Sequence, residues 1–199
     1  MKPFKLLTIV SISISVIVGI CSALMAFPYL VKASVTETTL NNSYPGYTYE
    51  EAVEKSDRLE YCKLMHVDSP KYTEQQNGAR TITTDYIFVS NENPTQYFIL
   101  RLPGGQIDNH IVFSSDEAEK FLSIGQNYIL MLNELSIDES SIYNVSNVET
   151  NIHSYYSLLL GTSSIFHINE QISYSDIVCS VNNVYSVEYE DLFNDCILK

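Results

Sequence analysis

A cysteine beside a histidine can make a thiolate nucleophile, so Cys62 and His66 are the first residues to weigh. They stand four apart in EYCKLMHV. On a strand that spacing puts both on one face but ~13 Å apart, too far for direct proton exchange. Cys62 therefore reads as a core thiol and His66 as an edge residue. A thiol-dependent hydrolase would need Cys62 or Cys179, with a histidine supplied from elsewhere in the fold. His110, His153 and His167 are each isolated, without the ligand spacing zinc requires. Asp116-Glu117 and Glu188–Asp191 fall at expected helix starts, where acids are favoured anyway. Asp138-Glu139 lies in a polar stretch with no calcium-loop pattern, and no Gly-x-Ser-x-Gly elbow exists. No catalytic, metal or cofactor-binding set emerges.

Two other groups invite a functional reading. Pro103-Gly104-Gly105 sits between apolar runs in ILRLPGGQIDNHIVF. A phosphate cradle would need its glycines to open a helix, with Lys and Ser/Thr following. Gln106-Ile107-Asp108 follows instead, so the tripeptide reads as a corner: proline ends strand pairing and the glycines permit positive φ. Tyr97, Tyr155 and Tyr156 could stack sugar rings from a strand face, although strand tyrosines more often pack half-buried.

The address is clearer than the chemistry. Lys2 and Lys5 precede an uncharged run from Leu6 to Val31, the pattern of an export signal. Residues 1–33 read as a signal peptide cut after Val31-Lys32-Ala33, in preference to a retained single-pass anchor, for which the run is long enough. Ile20 argues against lipid attachment at Cys21. Either route places the remainder at the cell surface or outside the cell. All 24 acidic residues lie after Ala33 but only 8 of the 11 basic ones do, which leaves a net charge of −16 there. That charge repels nucleic acid and anionic wall polymers alike, and names no specific partner. Cys62, Cys179 and Cys196 are an odd set for an oxidising compartment. A Cys179–Cys196 bridge would close a loop of about 17 residues, worth roughly 3 kcal/mol; three reduced thiols is the competing reading. The sequons at Asn41 and Asn144 matter only in a eukaryotic host.

The elements that must position these residues are mostly strands. Residues 34–47 are polar and aperiodic, a linker. Thr48 and Glu51 form a capping box opening a helix to about Lys55. Strands follow at 59–67, 81–90, 96–102 and 110–113, with a polar loop at 68–80. Ser114 and Glu117 offer a second capping box. NYILML at 127–132 is apolar on both faces and reads as a central strand. Residues 133–151 are a polar loop or hairpin. YYSLLL and SSIFHI flank a turn at Gly161-Thr162. In the extension 171–199, Tyr189, Leu192, Phe193, Cys196 and Ile197 recur on one helical face. The fold class is mainly β: a small barrel or sandwich over residues 48–170, with two or three short helices.

In order, Thr84-Asp85, Gly104-Gly105, the Gly125-Gln126-Asn127-Tyr128 segment with Leu130 and Leu132, and Gly161 with Phe166 resemble a β-barrel domain of the oligonucleotide/oligosaccharide-binding (OB) shape. That domain recurs in uncharacterised exported proteins of Gram-positive and other bacteria. The resemblance covers about residues 49–168. Ser164 stands where the group usually has a second glycine, and Cys62 where it has a small residue. The resemblance implies an OB-like barrel and carries over no catalytic residue. The function expected is a non-catalytic binding or accessory domain for a protein or cell-envelope component, or else a structural spacer.

Overall fold

The computed structural model describes residues 35–74, 79–137, 141–145, 148–169 and 171–198. The expected signal or anchor segment 1–33, Asp138-Glu139 and Ser146 of the second sequon lie outside them. Among the described residues no helix is long and apolar enough to cross a membrane.

Strand β2 (Arg58–Val67) shows how the pattern makes a curved sheet. Cys62 and Leu64 face one core with no exposure, while Leu59 faces another. β4 (Arg80–Ser90), β5 (Tyr97–Pro103) and β8 (Asn127–Glu134) alternate in the same way. β2 pairs antiparallel with β4 and with β8, and β4 pairs antiparallel with β5. β11 (Tyr155–Leu158) closes the ring, running parallel to β5 and antiparallel to β8. The result is a closed five-stranded barrel in the order β2-β4-β5-β11-β8. In chain order the five strands connect as 1-2-3-5-4-1, the arrangement of an OB-like barrel. Phe88 stacks on Phe98 at 5.5 Å inside it, with Tyr128 edge-on to Phe88 at 6.2 Å.

β8 is central, as its two apolar faces require. Leu130 and Leu132 point inward, while Ile129 and Met131 point outward beneath the C-terminal helix Tyr189–Leu198. Tyr189, Leu192 and Cys196 are the buried side of that helix. Ile197, expected on the same face, is 59% exposed in the last turn of the helix. The extension also supplies the hairpin β13 (Ile177–Cys179) with β14 (Ser186–Glu188), and its Val178 and Tyr185 join the same outer core. Residues 171–198 thus pack on the barrel, within one compact unit that begins at Thr36. The helix Tyr49–Lys55 starts at the expected Thr48–Glu51 capping box.

Two elements arise where the sequence offers no apolar alternation. β1 (Thr36–Leu40), inside the stretch read as linker, is held by parallel pairing with β7 (His110–Ser114). β3 (Lys71–Glu74) pairs with β4 inside the expected loop. β6 (Gly105–Ile107) completes the sheet β1-β7-β6. β9 (Ser141–Val145) and β10 (Val148–Ile152) form the hairpin between β8 and β11. β12 (Ile165–Ile168) flanks β8 beyond the ring.

Candidate functional site

The Pro-Gly-Gly corner is where the chain leaves the barrel. Pro103 is still opposite Thr83 on β4, and the Gly104 amide donates to Ile82 O at 2.9 Å. Thr84 Oγ1 donates to Gly104 O at 2.9 Å, pinning the turn. Both glycines have positive φ, 130° and 131°. At Gly105 a Cβ would come within 2.7 Å of the Pro70 ring, so only glycine lets β3's approach and the corner coexist. The corner passes the chain from the barrel into the sheet β1-β7-β6 and swings the β6–β7 hairpin across the barrel's end.

A cleft of about 330 Å³ remains between the two. Thr84, Tyr86 and Leu102 line it from the barrel mouth; Ile111, Val112 and Phe113 line it from β7. Glu119 borders it from the 3-10 turn Ala118–Phe121. That turn is not opened by the expected Ser114–Glu117 capping box. Glu117 itself adopts a left-handed conformation (φ 51°), Ser114 Oγ accepts from Asn42 Nδ2, and the Glu117 carboxylate pairs with Lys120 at 2.6 Å. The Glu119 carboxylate is half-buried and has no cationic partner among the described residues. Tyr86 is only 7% exposed, and its hydroxyl makes no hydrogen bond with the described residues. Burial, with the nearby Glu119 charge adding to it, pushes this phenol up to about 12. The cleft thus joins apolar walls to one carboxylate and one unpartnered phenol.

Neighbouring polar groups are already engaged. Asp116 accepts from Thr162 N and Oγ1 at 3.0 and 2.9 Å, under Gly161, where a side chain would overlap its carboxylate. Arg101 is bidentate on the fully buried Asp85, at 2.7 and 2.9 Å, and Lys71 adds a third contact at 2.8 Å. Burial opposes ionisation of Asp85, but these cationic hydrogen bonds win and hold its carboxyl below the usual range.

The tyrosines expected as a stacking platform do not share a face. Tyr156 points into the barrel, and Tyr155 points out into the cluster with Ile87, Ile99 and Ile152. Both are buried, and Tyr155 lies beneath the Arg101 guanidinium at 4.8 Å. Tyr97 packs half-buried against that outer cluster. Adjacent strand residues face opposite ways, so these rings are packing.

The cysteines are likewise corrected. Cys62, Cys179 and Cys196 are all free thiols. The bridge expected between Cys179 and Cys196 is not formed: Cys179 is on the exposed face of β13, beside Ser186 Oγ at 3.0 Å, whereas Cys196 is buried and donates to Leu192 O. Cys62 is sealed in the barrel, and burial pushes its thiol well up. A β-bulge between Leu64 and His66 shifts the register. Cys62 therefore points inward and His66 outward, not onto the one face expected from an unbroken strand. His110 contacts Tyr72 Oη at 3.2 Å and His167 contacts Gln126 at 3.1 Å. Among the described residues no three potential ligands converge as a metal site.

Tyr86 and Glu119 escaped the sequence reading because 33 residues separate them and neither stands in a motif. The only signal nearby was the Pro-Gly-Gly corner, which proves to be a wall of the same cleft. Compared with family models, curated proteins and solved structures, the chain matches none.

Proposed function

We propose that this chain is an exported, non-catalytic binding domain, and that the cleft at the barrel mouth is where it holds its ligand. One observation carries the reading: an apolar cleft at the end of a closed barrel, a common ligand position, is lined by Tyr86, a residue 7% exposed whose hydroxyl makes no hydrogen bond with the described residues. The basic, then apolar, N-terminus supports delivery beyond the cytoplasm. The motif resemblance to OB-like domains of exported bacterial proteins points the same way. The acidic balance after Ala33 disfavours nucleic acid as the partner.

The test of the seat uses the full chain, isotope-labelled, titrated with the neutral probe 1-hexanol. Amide shifts should concentrate at Thr84, Leu102 and Val112, and Phe113→Ala, which removes an exposed wall, should weaken binding about fivefold. Shifts elsewhere, or an unaffected variant, would refute the seat. Fractionation of a Gram-positive expression host tests the address: chain soluble in the cytoplasm at full length refutes it.

A further inference from the structure

We propose that the barrel-mouth cleft selects an apolar group carrying one protonated amine, with Glu119 as counter-charge and the Tyr86 hydroxyl as hydrogen-bond partner. The inference rests on the cleft being the ligand seat and adds the chemistry of what sits there.

The walls set the body of the ligand. Leu102, Ile111, Val112 and Phe113 offer only carbon, and about 330 Å³ is room for a chain or ring of roughly six carbons with its head group. The rim sets the head. Glu119 is a carboxylate at the edge of an apolar space, where Coulomb attraction exceeds its value in open water. The cations that could neutralise it internally are committed: Lys120 to Glu117 at 2.6 Å, Arg101 and Lys71 to Asp85. Tyr86 Oη can accept as well as donate. An ammonium has three donors, so it can satisfy both groups at once. A hydroxyl can serve Tyr86 but leaves Glu119 without a counter-charge. A carboxylate meets Glu119 as a like charge. The net −16 after Ala33 concentrates cations and depletes anions near the surface in the same sense.

Three six-carbon probes separate these cases: hexylammonium, 1-hexanol and hexanoate, titrated into the labelled full chain at neutral pH and low salt. Hexylammonium should bind about tenfold more tightly than hexanol, as a charge-assisted contact requires, and hexanoate should bind most weakly. Glu119→Gln should bring hexylammonium to the level of hexanol. Tyr86→Phe should weaken hexylammonium roughly threefold or more, with the amide spectrum otherwise retained. Hexanoate binding as well as hexylammonium, or a Glu119→Gln variant that keeps the preference, overturns the proposal. Hexanol binding at the mouth with no preference for the amine overturns this inference and leaves the binding seat standing; no binding by any probe overturns both.

Discussion

Replacing Gly105 by alanine adds one methyl group where two separate costs meet. The residue has φ 131°, a region that side-chain-bearing residues occupy at a cost of about 1–3 kcal/mol. The new Cβ would also lie 2.7 Å from two atoms of the Pro70 ring and 3.1 Å from Thr84 Oγ1. A proline ring cannot rotate away, so β3 or the corner must shift, for about a further 1–3 kcal/mol. Gly104 is the internal control. It has nearly the same φ, 130°, but its Cβ would meet nothing nearer than Val112 O at 3.4 Å. Gly104→Ala should therefore cost about 1–3 kcal/mol and Gly105→Ala about 2–6 kcal/mol. In a domain of this size each kcal/mol lowers Tm by about 2–4 °C. Thermal melts followed by circular dichroism, with urea unfolding as a check, should place Gly105→Ala several degrees below Gly104→Ala. Equal melting points would refute the Pro70 contact as the cause. A variant that melts like the wild type yet no longer binds hexanol would refute the corner's structural role.

Two further outcomes follow from buried groups. Asp85→Asn should destabilise the fold by about 3–5 kcal/mol, because Arg101 would keep a buried charge without its counter-ion. The folded carboxyl titrates below its unfolded value, so its contribution is present above about pH 4 and is lost as pH falls through the lower folded value; urea titrations from pH 6 down to pH 2 should show that loss in the wild type and not in Asp85→Asn. Under native conditions a maleimide should label Cys179 rapidly and leave Cys62 and Cys196 unlabelled until urea is added. Peptide mapping that finds a Cys179–Cys196 bridge, or fast labelling at Cys62, would contradict the structure.

The strands that bury apolar side chains were readable, because β4, β5 and β8 carry β-branched and aromatic residues at the period a barrel wall needs. β1 and β3 were not, because their strand character resides in backbone bonds to β7 and β4 and leaves no trace in TETTL or KYTE. The bulge at Met65 was invisible for a related reason: EYCKLMHV alternates plausibly either way, and the partner strand decides the register. The helical face of the tail was right at Leu192 and Cys196 and failed at Ile197, in the helix's last turn. Of the site, the corner was legible from Pro103 and its glycines. Tyr86 and Glu119 were not, since a pair that meets only through a sheet-to-sheet crossing has no local spacing.

The ring-closing strand has a temporal consequence. β11 is the last of the five barrel strands along the chain, and its parallel partner β5 lies more than 50 residues earlier. A nascent chain that has not yet reached Tyr155 holds β5 and β8 with open edges, and their unpaired backbone groups are templates for pairing with another chain. Closing so long a loop also makes this step slow compared with the local β4–β5 hairpin. The interval between synthesis of β8 and docking of β11 is therefore when the chain is most prone to self-association. Truncation anywhere between Glu134 and Leu158 would make that interval permanent.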